Sequence, residues 1–162
     1  MSRWELYRDD DPSVTTDINL FVKVHRLFLQ YDRIHRVAVL FDNLWENREL
    51  WFYLVSAPKL EIAWHGRTHK DYGKLSYQEC RDDIQWSLEM WQARVSRGGY
   101  KVPPIRYAHP PWHSVSPELA RACADSGIVL DARQGPPVFN FHYWSTALDP
   151  RRFADLEQAL RQ

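Results

Sequence analysis

The chain has 162 residues, of which 44% are hydrophobic and 26% are charged, and this composition excludes a disordered segment. Its 21 Lys and Arg residues balance its 21 Asp and Glu residues, so the formal net charge is zero. Nucleic-acid and anionic-membrane binders attract phosphates with a basic surface, so we expect neither partner for this neutral chain. The length predicts a single domain over residues 1–162.

Short apolar segments alternate with longer amphipathic ones, which is typical of strands followed by helices. The first strand is predicted at 4–7, ahead of Arg8 and three consecutive aspartates. A helix over 16–31 follows it, with Thr15 or Thr16 as the N-cap. Further strands are predicted at 36–41, 60–64, 105–107, 128–130 and 138–142. Further helices are predicted at 47–56, at 76–96 behind a Ser76–Glu79 capping box, from Ser116 and Pro117 to Asp125, and from 149–150 to 161.

This order of elements predicts an α/β fold with parallel strands. In such folds the functional side chains gather beyond the carboxyl ends of the strands, because those ends meet on one rim. The polar residues that follow the predicted strands are therefore the candidates for function: Asp9, Asp10, Asp11, Asp42, Asn43, His65, His69, His109, Trp112, His113, Asp131 and His142.

Two of these candidates, His65 and His69, lie four residues apart after the third predicted strand. Two imidazoles at this spacing can bind one metal ion if the segment is helical or tightly turned, and Gly66 permits a sharp turn. The same spacing occurs often by chance, so the pair alone does not establish a metal site.

The acidic triplet at 9–11 supplies a possible partner for the two histidines. A lone triplet is commonly a solvated charge cluster or a capping turn, but three carboxylates after a buried strand repel one another, and a divalent cation relieves that repulsion. One carboxylate with two neutral imidazoles makes an open zinc site. Arg8 lies on the same face of an extended strand as Asp10, so it either holds that carboxylate ionised or is an ordinary surface arginine.

The other histidines allow two interpretations each. His142 follows an apolar strand and is either a structural histidine or, if it shares the rim, a general acid. Residues 109–113 (His-Pro-Pro-Trp-His) form either a rigid loop that presents Trp112 to a ligand or a structural turn. His25 and His35 lie in or beside the first helix, away from the rim, and no role is predicted for them.

Several other chemistries are disfavoured. Cys80 and Cys123 have no CxxC spacing and lie in predicted helices, so they are expected to be reduced thiols without a nucleophilic role. The chain has no phosphate-binding glycine loop, which argues against a nucleotide cofactor. It has no apolar run long enough to span a bilayer and no apolar segment near its start, so a cytoplasmic location is expected.

Four motifs, taken in sequence order, resemble those of the polysaccharide deacetylase family, which is carbohydrate esterase family 4. They are RDDDP at 8–12, EIAWHGRTHKDYGKLS at 61–76, HPPWHS at 109–114 and FNFHYW at 139–144. The second motif is the closest match to the family pattern, although Gly66 stands where the family has Ser or Thr. The resemblance runs from Arg8 to the C-terminal helix and implies a distorted, incomplete (β/α) barrel with its active site at the carboxyl rim.

The resemblance also implies roles for individual residues. His65 and His69 would complete a metal triad with one aspartate of the first motif. The aspartate just before that ligand would be the general base, and His142 would be the general acid. Zn²⁺ is the cation expected most, with Co²⁺ or Ni²⁺ as alternatives, since all three suit two imidazoles and a carboxylate.

Two registers of the acidic triplet are open. In one, Asp10 is the base and Asp11 is the metal ligand; in the other, Asp9 is the base and Asp10 is the ligand. We favour the first register, because divergent family members that resemble Arg-x-Asp-Asp place the arginine where it can contact the base, as Arg8 would here.

The implied activity is the metal-dependent removal of an N-acetyl group from an amino sugar in a polysaccharide, an oligosaccharide or a glycan precursor. The chain departs from the family in its third motif, where the arginine before Pro-Pro is replaced by His109, and Arg8 is expected to supply the missing charge. The alternatives are a catalytically impaired carbohydrate-binding protein of the same fold, or a metal-dependent amidohydrolase acting on a small cytosolic amide. The residues expected to contact substrate are Arg8, Asp9, His109, Trp112 and Trp144.

Overall fold

Six parallel strands form one sheet in a computed structural model that describes residues 4–162. The strands are β1 (Leu6–Asp10), β2 (His35–Leu40), β3 (Leu60–Gly66), β4 (Tyr107–Ala108), β5 (Val129–Leu130) and β6 (Val138–Phe141). They lie in the order β5-β4-β3-β2-β1-β6, and every pairing between neighbours is parallel. The predicted α/β fold with parallel strands is therefore confirmed. Residues 1–3 belong to the N-terminal segment in which the sequence shows no apolar stretch, and they lie outside the residues that the structure describes.

Helices connect the strands. They are α1 (Ile18–Gln30), α2 (Arg48–Ser56), α3 (Tyr77–Gly98), α4 (Pro117–Asp125), α5 (Tyr143–Leu148) and α6 (Pro150–Leu160). The capping box of Ser76 and Glu79 opens α3 as predicted, and Ser116 caps α4. Among residues 4–162, no helix combines the length and the apolar character that crossing a membrane requires.

The sheet curls into an incomplete barrel. In a flat sheet β1 and β4 would lie about 14 Å apart, because two strands separate them. Instead the Arg8 side chain of β1 reaches the loop after β4, where its Nη1 lies 3.2 Å from His109 Nδ1. The same guanidinium donates to the carbonyl of Arg133 beyond β5, at 3.4 Å. The barrel stays open because β5 and β6, at the two ends of the strand order, do not pair with each other.

The two faces of the sheet differ in chemistry. The outer face is mostly apolar and packs under the helices: Phe28 of α1 stacks on His35 of β2 with ring centroids 4.1 Å apart, and the Trp64 indole of β3 donates to Ser87 of α3 at 3.1 Å. The inner face carries charge, since Arg36 of β2 pairs with Glu61 of β3 at 2.5 Å. This alternation follows from the period of two along a strand, and it places the polar chemistry inside the curl.

Two predicted boundaries in the N-terminal part of the chain were wrong, and one helix was missed. The first strand begins and ends later than 4–7, so Asp9 and Asp10 lie within β1 and not after it. The N-cap of α1 is Asp17, whose carboxylate accepts from the backbone of Asn19 and Leu20, and not Thr15 or Thr16. The short helix α5 was not predicted at all, because its sequence, YWSTAL, has neither a cap residue nor enough length to show a helical period.

Candidate active site

Asp11 is the centre of the candidate site. It follows β1 directly and has a positive φ of 78°, which turns its carboxylate toward the ends of β3 and β6. Its Oδ1 lies 3.1 Å from Nε2 of His65 and 3.2 Å from Nε2 of His69. Its Oδ2 lies 3.3 Å from Nε2 of His142. Three imidazoles from two strand ends therefore face one carboxylate.

The donor atoms of Asp11, His65 and His69 all lie within 4.8 Å of one another, a spacing that one metal ion can bridge. Asp11 Oδ1 is buried and makes no hydrogen bond within the described part of the chain. The Nδ1 atom of His65 donates to the carbonyl of His109 at 2.5 Å, which leaves Nε2 of His65 bare to act as a ligand. The residues present therefore fit a divalent cation.

The charges of this cluster suit a cation as well. Burial opposes the ionisation of Asp11, but the imidazoles of His142 and His65 outweigh it and hold the pKa of that carboxyl far below its usual range. Burial lowers the pKa of His69, which favours the neutral imidazole that binds metals. The Asp11 carboxylate raises the pKa of His142 instead, through direct contact and charge, and so favours a proton on that ring.

The loop that carries His69 is shaped by a buried tyrosine. Gly66 ends β3 with φ at +133°, and a Cβ at that position would lie 2.8 Å from the ring of Tyr72. The Tyr72 hydroxyl accepts from the backbone of Arg67 at 2.9 Å and donates to Asp83 of α3 at 3.1 Å. The Tyr72 hydroxyl therefore fixes the loop that carries His69. It does so from the space that a side chain at position 66 would occupy.

Asp10 and Arg8 form a two-point ion pair on the inner face of β1. Arg8 Nη2 donates to Asp10 Oδ2 at 3.1 Å, and Arg8 Nε lies 3.0 Å from Oδ1. Arg8 is fully buried, so this pair is not an exposed surface contact of the kind that contributes little. The interpretation of Arg8 as a surface arginine is therefore wrong, and the guanidinium orients the Asp10 carboxylate through contacts to both of its oxygens.

Three of the residues expected to contact substrate are not exposed to it. Asp9 is fully buried on the outer face of β1, where its Oδ1 accepts from the backbone of Tyr143 at 2.7 Å. His109 is also fully buried, and its Nδ1 donates to the carbonyl of Asp131 at 2.6 Å. Burial and the nearby Arg8 lower the pKa of His109 to about 3, so the ring is neutral. Arg8 contacts Asp10 and likewise has no exposed surface.

Two tryptophans flank the cluster and are accessible. Trp112 is 62% exposed and has a positive φ of 53°, and its ring meets the His69 ring edge-on with centroids 4.4 Å apart. Trp144 is 47% exposed, and its ring centroid lies 5.7 Å from that of His142. The loop at 109–113 therefore does present Trp112 outward, next to a candidate metal ligand.

The other rim candidates lie around the site without joining the cluster. Asp42 lies 3.6 Å from the guanidinium of Arg67, and Asp131 pairs with Arg133 at 2.7 Å. That arginine holds the pKa of Asp131 at about 2. His113 contributes more, since its Nδ1 lies 3.1 Å from Nη2 of Arg8.

Several positions with a structural part in the site were missed from the sequence. Asn140 of β6 contacts His113 at 3.3 Å, and Tyr72 and Asp83 support the loop before α3. The alternation of β6 carries a signal for Asn140, because it is the one polar residue within an otherwise apolar strand. Nothing in the local sequence marks Tyr72, which acts through a tertiary contact.

No protein-family model and no curated protein matches the sequence. Solved structures with the same fold include a carbohydrate esterase family 4 pseudoenzyme from Bacillus anthracis, with a TM-score of 0.71 and 17% identity over 98% of this chain and 62% of that one. A family 4 carbohydrate esterase from Streptomyces lividans, in complex with acetate, has a TM-score of 0.71 and 17% identity over 98% and 86%. The peptidoglycan deacetylase PdaC from Bacillus subtilis has a TM-score of 0.68 and 11% identity over 99% and 82%.

These likenesses extend over nearly all of this chain, which spans 62% of the length of the Bacillus anthracis protein. The shared architecture is the parallel, incompletely closed barrel described above. Identities of 11–17% establish the architecture and not the activity. The chain therefore has the incomplete (β/α)-barrel fold of the carbohydrate esterase family 4 deacetylases.

Proposed function

We propose that the protein is a metal-dependent hydrolase that removes an N-acetyl group from an amino sugar. The observation that carries this proposal is the convergence of Asp11, His65 and His69 within 4.8 Å, with His142 on the other oxygen of Asp11. Asp10, the adjacent carboxylate, is held separately by Arg8. One constellation thus combines a cation site, a base and an acid.

The solved structures support the substrate class. One relative is called a family 4 carbohydrate esterase and holds acetate, and another is called a peptidoglycan deacetylase. Acetate is the product that N-deacetylation releases. Trp112 and Trp144 add a feature of this chain itself, since exposed indoles on either side of the cluster offer apolar faces on which a sugar ring can stack.

The proposed chemistry has three parts: the cation site, the base Asp10 and the acid His142. Asp11, His65 and His69 would hold the divalent cation, which supplies Lewis-acid catalysis to a carbonyl group and to an attacking water. Asp10 accepts the proton of that water, and the Arg8 guanidinium orients its carboxylate. His142 donates a proton to the nitrogen of the departing amine.

The ionisation states suit these roles. Contact with the Asp11 carboxylate raises the pKa of His142, which favours the protonated ring that a general acid requires. Burial lowers the pKa of His69, so its ring is free to bind a cation at the same pH. The pKa values of the two histidines therefore shift in opposite directions beside one carboxylate, which is the pattern expected where an acid and a ligand share a site.

A second candidate is a protein of the same fold that binds carbohydrate without turning it over. The specific observation in its favour is that one of the solved relatives is described as a family 4 pseudoenzyme. The replacement of the third-motif arginine by His109 points the same way. Arg8 argues against this candidate. It lies on β1 and not in the third motif, but it contacts both oxygens of Asp10 and so supplies the cation that the proposed base would otherwise lack.

Metal loading and acetate release test the two candidates together. The purified chain is loaded with Zn²⁺, Co²⁺ or Ni²⁺ and incubated with N-acetylglucosamine oligosaccharides or peptidoglycan fragments, with a chelator-treated sample as control. We expect bound metal in stoichiometric amount and acetate release that the chelator abolishes. A metal-loaded protein that binds the oligosaccharide and releases no acetate would instead support the second candidate.

Two variants separate the cation site from the acid. His65→Ala should lose the bound metal and the activity together, as measured by elemental analysis and by acetate release. His142→Ala should keep the metal and lower acetate release by about 100-fold, the usual contribution of a general acid. A His65→Ala protein that still holds stoichiometric metal would remove the metal assignment.

A further inference from the structure

Three buried titratable side chains on the outer face of the sheet take no part in the chemistry proposed above. Asp9 of β1, His35 of β2 and His25 of α1 all have a relative exposure of 0%. Groups of this kind are rarely buried without partners, because desolvation of a carboxyl or an imidazole is costly. Their contacts form one continuous polar network.

This polar network extends from the backbone after His142 to the loop before β3. Asp9 Oδ1 accepts from the backbone N–H of Tyr143 at 2.7 Å, and Asp9 Oδ2 lies 3.3 Å from Nε2 of His35. Nδ1 of His35 lies 3.1 Å from Nδ1 of His25. Nε2 of His25 lies 3.0 Å from the carbonyl of Pro58.

The hydrogen-bond donors in this network can be assigned by starting from the Pro58 carbonyl. The Pro58 carbonyl can only accept, so Nε2 of His25 donates. Burial lowers the pKa of His25 to about 4, so its ring is neutral and its Nδ1 accepts from Nδ1 of His35. Nε2 of His35 is then bare and faces Oδ2 of Asp9 at 3.3 Å. The two histidines are thus oriented from Pro58 and in turn hold the Asp9 carboxyl.

The other oxygen of Asp9 contacts the main chain beside the proposed acid. Tyr143 is the first residue of α5, and His142 is its N-cap. The His142 side chain makes no capping hydrogen bond to this helix, because its imidazole is directed to Asp11. Asp9, from the neighbouring strand β1, accepts from the N–H of the first residue of this helix, which is one of the four N–H groups at a helix start that have no partner within the helix.

We propose that Asp9 is a positioning residue for His142. Held by His35 and His25, it fixes the peptide between His142 and Tyr143 and so sets the direction in which the imidazole meets Asp11. The kinetic consequence of this inference rests on the proposed function, whereas the constraint on the Tyr143 peptide does not.

Two substitutions at Asp9 distinguish positioning from simple filling of the core. Asp9→Asn keeps an oxygen that accepts from Tyr143 and offers an N–H₂ group that donates to the bare Nε2 of His35, so it preserves the geometry. Asp9→Ala removes both contacts. Backbone hydrogen exchange at Tyr143, measured by NMR, reports on the constraint without requiring turnover, and kcat and KM report on its effect.

For Asp9→Ala we expect faster exchange at the Tyr143 amide by about 10-fold or more, since that amide loses its partner. We expect kcat to fall by about 10- to 100-fold with KM within about twofold, because displacing a reacting group affects the chemical step more than ground-state binding. The metal content should stay at the wild-type level. Asp9→Asn should match the wild type within about threefold in kcat and retain the slow exchange.

A third variant keeps the test decisive if Asp9→Ala does not fold. His35→Phe retains the ring that stacks on Phe28 but removes the nitrogen facing Asp9. We expect a smaller loss of about three- to tenfold in kcat, together with faster Tyr143 exchange. The proposal is overturned if a folded Asp9→Ala or His35→Phe protein keeps wild-type exchange at Tyr143, or keeps kcat unchanged. A wild type that releases no acetate would overturn the proposed function, and the exchange measurement would still decide this inference.

Discussion

Arg8 shows how a single residue sets the charge balance of the candidate site. Its guanidinium is fully buried, contacts both oxygens of Asp10, and lies 3.1 Å from His113 and 3.2 Å from His109. A buried carboxylate without such a partner would take up a proton, because burial disfavours the charged form. The neighbouring His109 is kept neutral, so Arg8 is the cation that Asp10 contacts.

Replacing this arginine should impair catalysis while leaving the cation site intact. Arg8→Thr removes the ion pair with Asp10, and we expect kcat to fall by about 100-fold, the usual contribution of general-base catalysis at the lower end. Elemental analysis should show wild-type metal content, since Arg8 contacts none of the three proposed ligands.

The double variant Arg8→Thr/His109→Arg is the matched control for this prediction. Nη1 of Arg8 lies 3.2 Å from the His109 ring, so an arginine at position 109 can place its guanidinium in the same region. Part of the lost activity should return. If Arg8→Thr alone retains full activity, the guanidinium is not needed to support the base.

At this scale the sequence predicted which side chains meet around Asp11, and its errors at Asp9 and His109 have different causes. The period of two along a strand placed Arg8 and Asp10 on one face, which the structure confirms. The same period places Asp9 on the opposite face. Its assignment to the substrate site failed because the aspartates were taken to follow the strand, whereas β1 continues through Asp10. The burial of His109 depends on the curl of the sheet and could not be predicted from local sequence.

Among the elements, the loop between β3 and α3 matters most to the proposed cation site. It carries His69 and depends on one hydroxyl, because Tyr72 joins the Arg67 backbone to Asp83 of α3. Burial and the Asp83 charge raise the pKa of Tyr72, so the hydroxyl keeps its proton and can donate to the Asp83 carboxylate.

Removal of this hydroxyl should weaken cation binding. Tyr72→Phe leaves the ring in place but frees the Arg67 amide and Asp83, so His69 is less well held. Loss of an outer-shell contact of this kind typically lowers metal affinity by about 10- to 100-fold, and we expect a loss in that range for Zn²⁺ in competition with a chromogenic chelator. Tyr77→Phe, which removes an exposed hydroxyl bonded to Asp125, is the control. Equal affinity in the two variants would show that the hydroxyl does not support the ligand.

The elements themselves were predicted well where local signals are strong. The capping box at Ser76 and the Ser-Pro start of α4 both mark helix ends through short-range hydrogen bonding. The strand β4 has only two residues, shorter than its predicted span at 105–107, since it is paired only where the curled sheet brings it to β3. Such pairing is decided by tertiary contact and leaves no pattern in the sequence.

For the molecule as a whole, buried histidines determine the response to acid. Burial lowers the pKa of His25 to about 4 and, together with Arg8, lowers that of His109 to about 3. In the unfolded chain both groups titrate near 6.5. Below about pH 6.5 the unfolded chain therefore binds more protons than the folded one, so this part of the stability is complete at higher pH and is lost as the pH falls toward 4.

The urea midpoint should therefore fall between pH 7.5 and pH 5, in the presence of a chelator so that release of a cation does not contribute. Each such histidine adds up to about 1.4 kcal/mol per pH unit to the loss of unfolding free energy. His25→Gln should show a shallower pH dependence than the wild type. A wild-type stability that does not change over this range would contradict the neutral, buried state of these rings.

The edge-on contact between Trp112 and His69 makes the site visible to fluorescence spectroscopy. Trp112 is largely exposed and its ring contacts that of His69, a proposed ligand. Its indole therefore emits at longer wavelength than a buried indole such as that of Trp64. A protonated imidazole or a paramagnetic ion such as Co²⁺ or Ni²⁺ beside that ring quenches its emission. The protein thus contains its own optical reporter of events at His69, with no added label, and Trp112→Phe supplies the blank.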